Sequence, residues 1–78
     1  MFRRERPYLE WSDTAIRSQL AIVQAWLRAD YEVQDLRRNS ILKDDPDFQK
    51  SLGDDDPVER AKYRKQEKEL LRELRRRS

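Results

Sequence analysis

The stretch from Ser12 to Leu42 constrains the fold more than any other part of the chain, because its apolar residues recur at the spacing of an α-helix. Residues three and four positions apart lie on one side of a helix. We therefore predict one long amphipathic helix over about residues 12–40. Its first apolar stripe consists of Ile16, Leu20, Val23, Leu27 and Tyr31.

A second apolar stripe lies about 130° around the same helix. Two stripes indicate two neighbours, or one neighbour and a covering segment. At the start, Ser12 is a favourable N-cap, and Trp11 before it can pack on Ile16 as a hydrophobic staple. Asp13 and Arg17 have the spacing of an ion pair within one helix. The second stripe consists of Ile22, Trp26, Ala29 and Val33.

Residues 58–78 carry the pattern of a second long helix. Asp56 is a favourable N-cap and Pro57 suits the first helical position, so we expect a helix over about residues 56–77. Nine Lys and Arg stand against four Glu in this segment. Its apolar content is thin, with one face formed by Tyr63, Leu70 and Leu74.

Residues 43–57, KDDPDFQKSLGDDDP, form an acidic hinge with six Asp and two Lys. Asp45 and Pro46 favour a short helical turn over about residues 46–52, which Gly53 would end. Clustered Asp also occurs in calcium loops, but the ligand order of an EF-hand is not met. Two consecutive helix caps explain the acids more simply. We expect no metal and no cofactor.

Residues 1–11 form the N-terminal arm, which combines aromatic and basic residues. Pro7 disfavours helix at Arg6, so we predict an extended segment. Its aromatics either cover the second stripe or contact a partner, because Trp, Tyr and Arg are enriched at binding hot spots. The chain is thus predicted to be a single all-α domain, a helical hairpin or L-shape. Its four segments are 1–11, 12–42, 43–57 and 58–78.

Several kinds of chemistry lack their residues in this sequence. There is no His and no Cys, which removes imidazole bases, thiolate nucleophiles and the usual zinc ligands. No phosphate-binding loop or nucleophile elbow is present. We therefore expect a protein without enzymatic activity or a small-molecule substrate. No apolar run suits a membrane span or signal peptide, which favours a cytoplasmic protein.

The distribution of apolar residues predicts that the chain needs a protein partner. Helix 58–78 has too few apolar residues to cover both stripes of the first helix, so another chain is the natural source of cover. We expect an adaptor or assembly subunit that docks on itself or on a larger protein. The predicted interface consists of Trp11, Ile16, Leu20, Val23, Trp26, Leu27, Tyr31, Leu70 and Leu74.

The alternative is a nucleic-acid-binding or antitoxin-like regulatory protein. The net charge of only +2 is small for a dedicated DNA binder. The basic helix can also be a salt-bridged solvent face, or it can contact an acidic protein. The residues that would contact phosphate or an acidic partner are Arg3, Arg4, Arg6, Lys65, Lys68, Arg72, Arg75, Arg76 and Arg77.

Overall fold

The computed structural model describes residues 6–78 and contains three helices in that range. Helix α1 spans Asp13–Asn39, α2 spans Pro46–Ser51 and α3 spans Pro57–Arg77. The predicted all-α fold, with two long helices around a short helical turn, is confirmed. Of the two predicted arrangements, the helical hairpin is the one observed, since α1 and α3 pack along each other.

Local side chains fix where each helix begins. The Ser12 hydroxyl accepts a hydrogen bond from the Ala15 amide at 3.1 Å. Asp45 accepts from the Asp47 amide at 2.9 Å and so caps α2. Asp56 accepts from the Glu59 amide at 3.0 Å and caps α3. Each carboxylate or hydroxyl satisfies an amide that has no partner within its own helix, which explains two of the clustered aspartates without a metal.

The helices end where the sequence offers a stop. At the end of α1, the Ser40 amide donates to the Leu36 carbonyl at 3.2 Å. After α2, Gly53 adopts a φ of 81°, in the left-handed region that favours glycine. This turn directs the chain back so that α3 runs antiparallel to α1.

The core lies between α1 and α3. Ile16 and Val23 on α1 and Leu70 on α3 are fully buried, and Tyr8 and Leu20 complete the cluster. Leu27, Tyr63 and Leu74 pack at its edges. In the first stripe of α1, Ile16, Leu20, Val23 and Leu27 are therefore covered by α3 and by Tyr8, whereas Tyr31 remains exposed.

The molecule is flat, with extents of 52 × 29 × 15 Å. A helix with its side chains is about 10–12 Å across, so the thickness corresponds to little more than one layer of helices. In one layer α1 contacts α3 on one side only. Ile22, in the second stripe, remains 60% exposed.

The arm differs from its predicted extended form. In its described part, the Leu9 amide donates to the Arg6 carbonyl and the Trp11 amide to the Tyr8 carbonyl, each at 3.1 Å, so the segment turns. These turns insert Tyr8 beside the first stripe, and not beside the second stripe, which is where the first of the two interpretations of the arm places its aromatic residues. Phe2, Arg3 and Arg4 of the predicted arm lie outside the described residues.

Candidate interaction surfaces

Glu73 joins the arm to α3. Its carboxylate is almost fully buried, with 3% exposure, at the end of the molecule where α1 begins and α3 ends. Arg6 donates to it through Nε at 3.2 Å and Nη2 at 2.6 Å, and Arg77 donates through Nε at 2.9 Å. These two guanidinium groups, Arg6 first, hold the pKa of Glu73 below its ordinary value.

Arg77 connects three segments at the same end. Its Nη1 donates to Asp13 at 2.7 Å, and its Nη2 donates to the carbonyls of Tyr8 and Leu9 at 2.9 and 3.1 Å. The carboxylates of Asp13 and Glu73 raise the pKa of Arg77. The predicted partner of Asp13 was Arg17, but the structure pairs Asp13 with Arg77, since folding brings the end of α3 to the start of α1.

A second ion-pair group holds the hinge end. Arg60 on α3 donates through Nε to Asp30 on α1 at 2.5 Å, and it also pairs with Asp55 in the hinge. Gln34 donates to Asp55 at 3.0 Å. The hydrogen bond from Arg60 is the main reason that the pKa of Asp30 is lowered, and the same contacts raise the pKa of Arg60. The hinge is thereby fixed to both long helices.

Polar side chains also hold α2 against the end of α1. Arg37 donates to the backbone carbonyls of Leu52 and Gly53. Gln49 on α2 donates to the carbonyls of Arg37 at 3.1 Å and Lys43 at 2.6 Å. These contacts place the short helix without burying an apolar residue of it.

The residues predicted to bind a partner divide into three groups. Ile16, Leu20, Val23 and Leu70 are buried between α1 and α3, where they hold the hairpin together. Leu27 and Leu74 are half-buried at the edge of this core, and Trp26 stacks on Tyr63. Trp11 and Tyr31 remain exposed, Tyr31 to 73%. Most of the residues named from the sequence therefore pack within the chain, and Trp11 and Tyr31 are the exceptions.

The side of α1 turned away from the core carries no charge along its central line. We call this surface the outer face. Ile22 and Ala29 were recognised in the sequence as part of the second stripe, but the neighbouring positions were missed. Alanine and serine contribute little to an apolar pattern, so only a helical projection of the exposed positions finds them. The outer face consists of Ala15, Ser18, Ile22, Ala25, Ala29 and Leu36, all exposed.

The predicted phosphate-contacting residues also divide. Arg6 and Arg77 are bound to Glu73, and Arg3 and Arg4 lie outside the described residues. Lys65 is largely exposed and lies 3.9 Å from Glu69. The remaining predicted cations, Lys68, Arg72, Arg75 and Arg76, are exposed on α3.

An open cleft of about 770 Å³ lies between the two long helices on the side of Tyr31. Arg38 on α1 and Arg64 and Lys68 on α3 line it, and all three are exposed. Asp35 and Glu67 also line it, so its charge is mixed. The cleft combines cations with an exposed aromatic ring, a combination that stacks bases and binds phosphates in some single-strand binders.

Comparison with known proteins adds no relative to this description. No protein-family model, curated protein or solved structure matches the chain. Within residues 6–78, no helix is both long and apolar enough to cross a membrane. In the same range, no three acidic side chains form a group that could hold a metal ion. The class that fold and surfaces define is a small, charged α-helical hairpin.

Proposed function

We propose that this chain is a non-enzymatic helical interaction protein that docks, through α1, on another protein chain. The observation that carries the proposal is the outer face of α1. It runs along the longest helix, and it exposes Ile22 together with Leu36, which is 44% exposed. An exposed apolar face on a long rigid element is typical of a protein–protein contact.

The free energies of the available contacts favour the outer face as the source of binding affinity. Burying a large aliphatic side chain contributes about 1.5–3 kcal/mol, whereas an exposed ion pair contributes about 0–1 kcal/mol. The first stripe, apart from Tyr31, is already used inside the hairpin, so the outer face is the apolar side that α1 can still offer to a partner. The exposed basic residues of α3 contribute chiefly to the rate of approach and to orientation.

Photo-crosslinking in cells tests this proposal directly. A photoreactive amino acid replaces Ile22 in the full chain, and a matched variant carries it at Ala61, an exposed position on α3. We expect position 22 to give a defined covalent adduct with a protein chain, either a second copy or a different protein. Equal, diffuse labelling from positions 22 and 61 would contradict the proposal.

Nucleic-acid binding is the second candidate, and the cleft beside Tyr31 is what favours it. Its exposed cations Arg38, Arg64 and Lys68 can neutralise phosphates, and each such contact makes binding salt-dependent. The test is a titration with duplex and single-stranded DNA and RNA from about 50 mM salt upward. Absence of binding at the lowest salt would remove this candidate. If binding occurs, the Arg64→Gln/Lys68→Gln variant should weaken it and reduce its salt dependence.

A further inference from the structure

Large and small residues alternate along the outer face at intervals of seven. Ala15, Ile22, Ala29 and Leu36 follow one another at that spacing, and seven residues make about two helical turns. All four are exposed. The outer face therefore presents two large side chains and two small ones in strict alternation over most of the length of α1.

We propose that a second copy of this chain occupies the outer face, with its α1 antiparallel to the first and the twofold axis beside Ala25. This inference rests on the proposed function and names its partner. In this register Ala15 of one copy lies opposite Leu36 of the other. Ile22 lies opposite Ala29, so each large side chain meets a small one at every level. Close packing requires such complementarity.

A parallel pair of the same helices does not have this property. In register, it places Ile22 on Ile22 and Ala15 on Ala15. Large residues then crowd at one level and small residues leave a gap at the next, which costs packing energy at both. The alternation thus selects the antiparallel direction.

Charges on one flank of the outer face give independent support. Arg17 lies near the start of α1, and Glu32 and Asp35 lie near its end on the same flank, all exposed. In an antiparallel pair with a twofold axis, each flank meets the same flank of the other copy. Arg17 of each copy then lies beside Asp35 and Glu32 of the other. Arg28 on this flank faces the uncharged Gln24.

The opposite flank contains Gln19, Trp26, Val33 and Arg37, and Arg37 already donates to the carbonyls of Leu52 and Gly53. A parallel pair would set this flank against the charged one. Arg17 would then meet no acidic residue of the other copy, and the Arg37 that comes near Asp35 is already bound to backbone carbonyls. Charge complementarity therefore agrees with the packing of large and small residues. Both point to one register, and the resulting surface is self-complementary, as a twofold interface must be.

The same register also covers apolar groups beyond the helix. Ile41, just after α1, is 97% exposed. The antiparallel arrangement brings it to the Trp11 end of the other copy, where a second exposed apolar side chain lies. Neither group is buried in the single chain.

Engineered cysteines test the register, because the chain contains no cysteine of its own. At helix packing distances, facing Cα atoms are roughly 4–6 Å apart, which overlaps the span of about 4.4–6.8 Å that a disulfide needs. Four single variants of the full chain are oxidised at micromolar concentration. They are Ala25→Cys, Ala15→Cys, Leu36→Cys and, as a matched control on α3, Ala61→Cys.

The antiparallel register gives a distinct pattern of disulfides. Ala25→Cys should link to itself near the twofold axis. Ala15→Cys and Leu36→Cys should each link poorly alone, but their mixture should yield the heterodimer. Self-linking of all three outer-face variants would indicate a parallel pair and overturn the proposal. If neither Ala25→Cys nor the mixture of Ala15→Cys with Leu36→Cys links faster than Ala61→Cys, the proposal is overturned as well.

A sedimentation experiment confirms the result without oxidation. The native chain should sediment as a dimer at micromolar concentration, and Ile22→Lys should sediment as a monomer with unchanged helix content by circular dichroism. Tyr31→Lys, at a more exposed position of α1 that lies off the outer face, should remain a dimer. A monomeric native chain overturns the proposal.

Failure of this inference is distinguishable from failure of the proposed function. If cysteines on the outer face do not link but the photoreactive group at position 22 still captures a different protein, then the chain docks on a foreign partner. The proposed function then stands and the self-pairing is wrong. If position 22 captures no protein at all, both are wrong.

Discussion

Trp26 on α1 and Tyr63 on α3 stack with their ring centroids 4.3 Å apart and their planes inclined by 21°. The pair lies between the apolar core around Leu70 and the ion pair of Arg60 with Asp30. Stacked aromatic pairs contribute about 0.5–1.5 kcal/mol beyond their buried area. This contact therefore carries the packing of the two helices from the core to the hinge end.

A double-mutant cycle measures the contribution of this stack. Trp26 is half-buried, so Trp26→Ala should lower the free energy of unfolding by about 2 kcal/mol, less than the 3–5 kcal/mol of a fully buried tryptophan. The coupling energy with Tyr63→Ala should be about 1 kcal/mol. Urea unfolding at low protein concentration gives both values. Strictly additive losses would show that the rings do not interact.

Isoleucines 16 and 22 form a matched pair on one helix. Ile16 is fully buried and Ile22 is mostly exposed. Ile16→Ala should destabilise the monomer by about 2–5 kcal/mol, a large share of the stability of so small a domain. Ile22→Ala should cost no more than about 0.5 kcal/mol in the monomer. Thermal unfolding at low concentration compares the two, and a similar loss from both would contradict the assigned faces of α1.

Helix boundaries were predictable from the sequence because the signals that set them are local. Ser12, Asp45 and Asp56 each cap the amide two or three residues further on, and Gly53 supplies the left-handed turn at its own position. All the residues that form each of these motifs belong to one short segment of the sequence.

The ion pairs within α3, Lys65 with Glu69 and Arg77 with Glu73, follow from the four-residue spacing of the sequence. The long-range partners of the charged residues were not predictable in the same way. Arg6 reaches Glu73 and Arg77 reaches Asp13 across more than sixty residues of chain. Neither contact exists until the hairpin closes. Tyr8 likewise enters the core only because the arm turns, which the residues of the arm alone did not indicate. The division of the apolar residues between core and surface required the same three-dimensional information.

The buried carboxylate predicts how stability depends on pH. The pKa of Glu73 lies below its ordinary 4.5 in the folded chain because Arg6 and Arg77 donate to the charged form. The unfolded chain therefore binds more protons, and this contribution to stability is complete above about pH 4.5 and is lost as pH falls through the folded pKa. The melting temperature should fall on acidification in that window.

Glu73→Gln should lower the melting temperature at neutral pH and flatten its decline at acid pH. Glu67→Gln, half-buried on the same helix, is the control and should retain the decline of the native chain. Thermal unfolding followed by circular dichroism at about pH 7 and pH 3.5 distinguishes the two variants. Both should keep some pH dependence, because the pKa of Asp30 is also lowered. An unchanged slope in Glu73→Gln would contradict the role of Glu73.

Substitution of Gly53 tests whether the turn after α2 requires a left-handed backbone conformation. Its φ of 81° is unfavourable for residues with a side chain, and an added Cβ would meet no described atom within 4 Å. Gly53→Ala should therefore cost about 1 kcal/mol through the backbone alone. Gly53→Asn should cost less, because asparagine tolerates this conformation better. Equal losses in urea unfolding would mean that the turn rearranges.

The three consecutive arginines at the end of α3 should behave differently. Arg77 donates to Asp13, Glu73 and two backbone carbonyls, whereas Arg75 and Arg76 are exposed. Arg77→Gln should lower the melting temperature because it removes these contacts from a half-buried site. The Arg75→Gln/Arg76→Gln variant should keep the native melting temperature and elute from a heparin column at lower salt, since exposed cations act mainly on approach to a polyanion. If Arg77→Gln melted with the native chain and lost heparin retention instead, Arg77 would belong to the exposed basic surface, and the closure of the hairpin at this end would depend on Arg6 and Glu73 alone.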